Sequence, residues 1–181
     1  MKLLPENFEL ERYGLHMRLV NETDAEFILS LRKDSRLARF ISETSDVLES
    51  QILWTRKYKE REAKGLDYYF IYSINGVRMG VNRLYDITED EFTGGSFVFK
   101  SGCPFEIPVL ATLIQLDLGF NVLDKKLAHG DIRLGNHKVI KYHEKILKVD
   151  FTYTDELNQY YIYTREAFNA RKPIIESMLN V

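Results

Sequence analysis

Cysteine and proline are scarce in this chain of 181 residues, which has one cysteine, Cys103, and four prolines. A single cysteine excludes an intrachain disulfide, so we expect a protein of the reducing cytoplasm. The sequence also lacks internal repeats, low-complexity segments and any linker rich in proline or glycine. We therefore predict one domain over residues 1–181, with a core at about 15–163 and a C-terminal helical tail at 166–179.

Long apolar runs and clusters of positive charge are missing as well. The N-terminal sequence MKLLPENFELERYG turns polar within a few residues, which argues against a signal peptide and a membrane span. The formal net charge is −2 and no run of lysine or arginine stands out, so neither nucleic acid nor a membrane is expected as a partner. No spacing of His, Cys, Asp and Glu resembles a metal site, so no metal is expected either.

Aromatic residues, in contrast, are abundant. They make up 13% of the chain, with eleven tyrosines and eleven phenylalanines. Aromatic side chains favour strands and fill large volumes of a core. The composition therefore predicts a sheet-rich body with an aromatic-lined core or groove.

Strand and helix signals alternate in the first part of the sequence. Residues 16–20 alternate as a strand, and Thr23 with Glu26 has the spacing of a capping box that begins a helix. A second helix is predicted from Ser45-Asp46 to about residue 63. Its predicted inward face consists of Leu48, Ile52 and Leu53.

A β-hairpin is predicted around Asn75-Gly76, a strong turn signal, between strands at 68–74 and 77–87. The segment TEDEFTGG that follows has the composition of a polar turn, and the next strand is predicted at 96–100.

The second half predicts a buried helix at 108–122, with Pro108 at its first position, because this segment is apolar almost all round. A strand at 127–134, a short helix in NHKVIKYHEK, two strands at 149–154 and 160–164, and a final helix interrupted at Pro173 follow. This order predicts an α/β fold with a mixed, mostly antiparallel central sheet flanked by helices.

The stretch NHKVIKYHEK, residues 136–145, resembles the end of the domain in the GCN5-related N-acetyltransferases. In the branch with the ribosomal-protein and amino-sugar acetyltransferases, this end carries an Asn, an apolar residue three positions on, an aromatic residue, and a Tyr or His before Glu-Lys. The matching residues here are Asn136, Val139, Tyr142, His143, Glu144 and Lys145. DYYFIYSINGVRMGVNRLYDI resembles the family's central hairpin, SFVFKSGCP the strand and turn before its coenzyme A loop, and GDIR its penultimate core strand. The resemblance covers about residues 15–163.

This resemblance implies an enzyme that transfers an acetyl group from acetyl-CoA to a primary amine by direct attack in a ternary complex. It implies a splayed pair of strands, at 96–100 and 127–134, that forms the acetyl-CoA cleft. The family's glycine-rich loop is replaced here by SGCPFEIPVLA, whose backbone N–H groups at a helix N-terminus are expected to bind the pyrophosphate. The implied cofactor-binding residues are Phe97, Val98, Phe99, Ser101, Gly102, Phe105, Glu106, Ile107 and Asn136.

His143 occupies the position where many members of the family have a tyrosine that protonates the departing thiolate. A histidine with a pKa near 6.5 does the same work when it is partly protonated, so the resemblance implies His143 as the general acid. The alternative interpretation is a surface helix residue beside Glu144 and Lys145. Asn136 likewise has a second interpretation, as the N-cap of that helix.

Alternation along the strand at 127–134 places His129, Asp131 and Arg133 on one face. Two interpretations stay open. In one, this face opens into a cleft where Asp131 accepts a proton from an amine and His129 binds the substrate. In the other, it is a solvated face with a charge network. The remaining candidates for substrate binding end the strand after the hairpin, on the family's acceptor side: Arg83, Tyr85 and Asp86.

The expected acceptor is a small-molecule amine, namely an amino sugar that is linked to a nucleotide. A protein N-terminus is the alternative acceptor. The alternative to an enzyme is a non-catalytic protein of the same fold that binds a ligand or a partner through the same groove. We expect a monomer or a homodimer.

Overall fold

The computed structural model describes residues 2–38, 40 and 47–181, and these residues form one eight-stranded sheet. The strands are β1 (Glu9–Arg12), β2 (Leu15–Leu19), β3 (Tyr68–Ile74), β4 (Val77–Tyr85), β5 (Glu91–Phe99), β6 (Leu127–Arg133), β7 (Asp150–Thr154) and β8 (Asn158–Thr164). Their order across the sheet is β1-β2-β3-β4-β5-β6-β8-β7. Strands β5 and β6 run parallel, and the other neighbours are antiparallel. The predicted α/β fold with a mixed, mostly antiparallel sheet is confirmed.

Helices cover both faces of this sheet. They are α1 (Ala25–Lys33), α2 (Ser35–Ala38), α3 (Leu48–Glu62), α4 (Glu106–Asp117), α5 (His137–Tyr142) and α6 (Arg165–Leu179). Helix α4 continues as a π-helix over Leu118–Val122, and α5 does so over His143–Leu147. The predicted start of the second helix at Ser45-Asp46 lies outside the described residues. Within the described ranges, no helix is both long and apolar enough to cross a membrane.

The central strand β3 is buried on both faces, which explains its nearly continuous run of large residues. Tyr68, Phe70 and Tyr72 belong to the core beneath α4 and α6. Tyr69 and Ile71 belong to a second core beneath α1 and α3. A strand that is covered on both sides has no polar face, so its sequence does not alternate between apolar and polar residues.

Helix α4 is the buried helix that the sequence predicts, since every residue from 110 to 116 is buried. It begins at Glu106 and not at Pro108, so the prediction that this proline occupies the first position is wrong. Proline is tolerated in the third position because the N–H groups of the first turn have no acceptor within the helix.

Helix α6 runs without a break through Pro173, so the predicted interruption there is wrong. Phe168 and Ile175 lie on either side of the proline, and each is 1% exposed. The ring of Phe168 packs against that of Phe120 at a centroid distance of 5.4 Å. This burial holds both halves of the helix against the core, and the C-terminal segment is part of the core and not a loose tail.

The N-terminal segment differs from the prediction in two ways. Strand β1, the polar sequence ELER at the sheet edge, was not predicted. The capping box is formed by Asn21 and Asp24 and not by Thr23 and Glu26, and it begins a 3₁₀ turn (Glu22–Asp24) that leads into α1. Asn21 Oδ1 accepts from the N–H of Thr23 at 2.9 Å, and Asp24 accepts from the N–H of Asn21 at 3.0 Å. Asp24 is fully buried and bonded to Arg18 at 2.7 Å, which fixes the cap two residues earlier.

Helix α3 packs through a polar stripe, so the predicted inward face is wrong. Leu48 and Leu53 are exposed. The buried residues are Gln51, Thr55, Tyr58 and Glu62. These polar groups are satisfied internally: the Thr55 hydroxyl donates to the carbonyl of Gln51, Tyr58 donates to Glu62, and the Tyr58 oxygen accepts the N–H of Tyr69 at 2.9 Å. A buried polar atom that keeps its hydrogen bonds costs little, and the last of these bonds anchors α3 to β3.

Strand β5 begins at Glu91, within the segment that was predicted to be a polar turn. Gly94 and Gly95 give that segment the composition of a turn, but both lie in the strand. A Cβ atom on Gly95 would lie 2.8 Å from the ring of Tyr85 on the neighbouring strand, so a glycine is needed for close packing and not for a turn.

Candidate active site

A cleft opens in the sheet between the two parallel strands. β5 and β6 pair at Glu91 with Leu127, Phe92 with Ala128 and Thr93 with His129, and among the described residues no pair joins them further along. β6 instead stays paired with β8 along its whole length, up to Arg133. The predicted splayed pair of strands is therefore present, and its apex lies at Thr93 and His129.

A β-bulge in β5 bends the strand beside this apex. Val81 of β4 pairs with Val98, whereas Arg83 pairs with Gly95, so Ser96 and Phe97 together oppose one residue of β4. Ser96 has φ +47°, which is unusual for a residue other than glycine. Such a bulge bends its strand and increases its twist, which accounts for the departure of β5 from β6.

Unpaired main-chain groups line both sides of the cleft. On β5 they come from residues 94–99, and on β6 from residues 130–133, because the edges that face each other share no ladder there. The side chains of Val98 and Phe99 are buried in the two cores, so these residues offer only their backbone to the cleft. An exposed strand edge of this kind binds an extended ligand that carries amide groups, in the manner of an added strand.

The loop between β5 and α4 presents a second set of backbone groups. Gly102 has φ +81° with open space around the position of a Cβ. The N–H of Cys103 donates to Lys100, and that of Ile107 donates to Pro104 at 3.1 Å. The bond to Pro104 argues against the prediction that Ile107 contributes its N–H to a phosphate cradle. The N–H groups of Phe105 and Glu106 remain at the helix N-terminus, where anions are favoured.

Two polar side chains near α5 lack partners in the described part of the chain. Asn136 is the N-cap residue, as predicted, but its side chain forms no capping hydrogen bond. The hydroxyl of Tyr142 is buried, and it lies near Thr112 of α4 without a hydrogen bond of normal geometry. An unsatisfied buried polar atom such as the Tyr142 hydroxyl is rare in native proteins and points to a ligand or water that completes it.

His143 begins the π-helix after α5 and is half-buried. Its Nδ1 lies 2.9 Å from the carbonyl oxygen of Val139, so Nδ1 carries the proton and Nε2 is the bare nitrogen. Burial lowers the pKa of His143 to about 4, against the effect of that hydrogen bond. The lowered pKa argues against a partly protonated imidazole near neutral pH, and the partial burial argues against a plain surface residue. The role of His143 stays a prediction. π-Helical turns of this kind often occur at functional sites.

The fold is shared with proteins of known structure. The apo structure of FdhC, described as a nucleotide-linked sugar GNAT, superposes with a TM-score of 0.83 and 33% identity, over 93% of this chain and 97% of that one. This chain belongs to the GCN5-related N-acetyltransferase family. Its structural neighbours are N-acetyltransferases, so the assignment is to a family of enzymes.

More distant acetyltransferases share the fold. Ribosomal-protein-S5-alanine acetyltransferase from Vibrio fischeri is 16% identical, with a TM-score of 0.74 over 88% of this chain and 98% of that one. RimJ from Mycobacterium smegmatis, solved in complex with CoA-disulfide, is 15% identical, with a TM-score of 0.72 over 86% of each chain. No family sequence profile and no curated protein matches the chain by sequence.

On the acceptor side of this acetyltransferase, Arg83 is engaged within the protein. Its Nε donates to Asp67 at 2.6 Å, and Asp67 is 1% exposed. The guanidinium also lies over the rings of Trp54, at 5.1 Å, and Tyr85, at 4.8 Å. This arrangement argues against the predicted substrate-binding role of Arg83 and makes it a support for the ring of Tyr85.

The other predicted acceptor residues lie along the ends of β4 and β6. His129 Nε2 lies 3.1 Å from a carboxylate oxygen of Glu91, at the closed end of the cleft. Asp86 is exposed in a turn with φ +50°. Burial raises the pKa of Asp131, and the nearby Arg133 partly offsets this effect. The contact of His129 with Glu91 and the attraction between Arg133 and Asp131 fit the interpretation as a charge network. A role of this face in binding the substrate stays a prediction.

Two tyrosines pack against glycines at the apex, and of these only Tyr161 escapes prediction from sequence. The ring of Tyr85 fills the space over Gly95 on β5, and the ring of Tyr161 on β8 fills the space over Gly130 on β6. Glycine next to a predicted strand partner is a signal for such packing, but the pairing of β6 with β8 is not readable from the sequence. Among the described residues, no group of three or more His, Cys, Asp and Glu side chains could hold a metal ion.

The lowered pKa of His143 predicts a pH-dependent stability. The unfolded chain takes up a proton near pH 6.5, whereas the folded protein does so only near pH 4, so stability falls as pH falls between these values. The full loss is on the order of 3 kcal/mol. His143→Phe lacks this loss. Its free energy of unfolding, measured with urea, should therefore fall less between pH 7 and pH 4.5 than that of the wild type. His137→Phe, at an exposed position of α5, is the matched control. Equal pH dependence in the wild type and in His143→Phe would contradict the assignment.

Proposed function

We propose that this protein transfers the acetyl group of acetyl-CoA to the amine of a nucleotide-linked amino sugar. The observation that supports it most is the 33% identity with a nucleotide-linked sugar GNAT, which extends over 93% of the chain. The other acetyltransferases compared share the fold at 16% identity or less, and they carry no argument about the acceptor.

The described residues fit acetyl-CoA as a co-substrate. It supplies the acetyl group as a thioester and carries amide groups in its pantetheine arm. The unpaired edge of β5 at Phe97, Val98 and Phe99 is suited to bind these amides, as a neighbouring strand would. The loop at Ser101 and Gly102, with the free N–H groups of Phe105 and Glu106, is the candidate for binding the phosphates. The unpaired amide of Asn136 is a further donor toward the arm.

The acceptor face carries charges of both signs, which fits an amine that is joined to phosphates. Asp131 lies on β6 beside the cleft, and the pKa of its carboxyl group, raised by partial burial, suits a group that takes up a proton from the attacking amine. Arg133 lies close enough to influence that carboxylate and is a candidate partner for a phosphate group. His129 and Tyr85 complete the wall on either side.

His143 in this proposal positions its neighbours and does not act as the acid. With a pKa of about 4, only about 0.1% of the imidazole is protonated at pH 7, so loading it with the proton that an acid needs costs about 4 kcal/mol. The neutral ring contacts Tyr161 at a centroid distance of 4.9 Å and Tyr142 at 5.3 Å. We expect it to set the position of these two tyrosines.

An assay with a panel of amines tests the proposed function. Acetyl-CoA is supplied with nucleotide-linked amino sugars, the free amino sugars, a polyamine and a peptide with a free N-terminus, and CoA release is measured. Nucleotide-linked amino sugars should give the highest kcat/KM, because only they engage both the carboxylate and the guanidinium. A preference for the peptide would contradict this proposal and indicate a protein N-terminus as the acceptor.

The non-catalytic alternative predicts a different outcome in the same experiment, combined with calorimetry. Binding of acetyl-CoA without turnover of any amine would favour a ligand-binding protein, and no binding at millimolar acetyl-CoA would remove the enzyme proposal. Location in the cytoplasm, a single domain, and a monomeric or homodimeric state stay predictions.

Substitution of Gly102 tests the phosphate loop against a matched control. Gly102 at φ +81° and Gly76 at φ +76° both have open space around the position of a Cβ, so alanine strains either backbone by about 1 kcal/mol. Gly76 lies in the hairpin turn between β3 and β4, away from the cleft. Calorimetry should show weaker acetyl-CoA binding for Gly102→Ala alone, while both variants lose similar stability. Equal affinities in both variants would remove the loop from the proposed site.

A further inference from the structure

The hydroxyl group of Tyr161 stands at the apex of the cleft. Tyr161 on β8 pairs with Gly130 on β6, and a Cβ on Gly130 would lie 2.3 Å from the Tyr161 oxygen. The hydroxyl therefore occupies the space that the side chain of any other residue at position 130 would need. Gly130 directly follows His129, the last residue of β6 that pairs with β5. The glycine thus places the hydroxyl where the two strands begin to separate.

This hydroxyl has no hydrogen-bond partner in the described part of the chain, in contrast to its neighbour on the same face. Tyr163 donates to the carbonyl of Leu147 at 2.8 Å and is 1% exposed. The ring of Tyr161 is held by that of His143, at 4.9 Å, and by that of Phe151, at 6.4 Å. The position of Tyr161 is thus fixed by packing, while its hydroxyl is left available to a ligand.

Several titratable groups surround Tyr161. Asp131 on β6 and Tyr85 at the end of β4 reinforce the effect of burial, which raises the pKa of Tyr161 well above its usual value. Tyr142 on α5 lies close enough to interact with it, and His143 beside it is neutral. The phenol consequently stays protonated across the neutral range.

We propose that Tyr161 is the catalytic acid of this site and that His143 is its positioning residue. The inference rests on the proposed acetyl transfer. The amine nitrogen forms a bond to the thioester carbonyl carbon, the carbon–sulfur bond breaks, and the sulfur leaves with the electron pair. Tyr161 gives its hydroxyl proton to that sulfur, and the attacking nitrogen gives one proton to Asp131. Asp131 then releases its proton to solvent, and the phenolate takes one up, so that one proton has moved from nitrogen to sulfur.

Removal of the hydroxyl tests the assignment with a change of a single atom. Tyr161→Phe should lower kcat on the order of 10²–10⁴-fold, the usual contribution of a general acid, with unchanged affinity for acetyl-CoA in calorimetry. Tyr163→Phe is the matched control on the same strand and face. It should lower the melting temperature, because it loses a buried hydrogen bond, and leave kcat unchanged. Full kcat in Tyr161→Phe, with chemistry rate-limiting, would overturn the proposal.

A second readout does not depend on turnover. Fluorotyrosine is incorporated at position 161 or at position 163, and its ¹⁹F resonance is followed while acetyl-CoA is added. The resonance at 161 should shift and the one at 163 should stay. A resonance at 161 that does not respond to saturating acetyl-CoA would show that the hydroxyl does not reach the thioester, and the proposal would fall.

The two experiments separate this inference from the proposed function. If the wild type turns over an amine and Tyr161→Phe equals it, the acid is wrong and the acetyl transfer stands. If the wild type releases no CoA with any amine, the reaction itself is absent and both proposals fail.

Discussion

The pairing of β5 with β6 is the constraint on which the active site depends, because it holds over three residue pairs and then ends. Within those pairs the sheet is continuous, and the cores on its two faces keep β5 and β6 in register. Beyond them the bulge at Ser96 turns β5 away, and β6 follows β8. Backbone groups that a regular sheet would pair are left open to a ligand.

Packing and an ion pair around this opening hold its walls in place. Two glycines allow tyrosines to cover the strands at the apex, Tyr85 over Gly95 and Tyr161 over Gly130. Tyr85 is in turn supported by Arg83, which is bound to the buried carboxylate of Asp67. A buried ion pair of this kind adds little net stability, but the loss of one partner is costly, so the wall has one stable arrangement.

The fold was predictable because its signals are local. The hairpin at Asn75-Gly76 and the buried helix α4 follow from turn chemistry and from an apolar run. β5 was predicted only in part, because Gly94 and Gly95 are typical of a turn. That Gly95 makes room for the Tyr85 ring is visible only in the folded structure. The inward face of α3 was missed because its polar side chains are satisfied by one another, which the sequence does not display.

The site was predictable to a lesser degree, for a similar reason. Its motif identified His143 and Asn136 by position, but the protonation of His143 depends on burial and on a contact with Val139. Arg83 was predicted to bind the substrate, but its guanidinium is bound by Asp67, sixteen residues away in the sequence. Tyr161 has no motif at all, and its place depends on a strand pairing that only the folded chain defines.

Amide hydrogen exchange with and without acetyl-CoA tests the central claim most directly. If the open edges bind the co-substrate, its addition should slow exchange in residues 94–99 of β5 and in the loop at 101–106. The edge strand β1, at the far side of the sheet, serves as an internal reference and should exchange as before. Saturating acetyl-CoA that leaves residues 94–99 unprotected, or that protects β1 instead, would contradict the account.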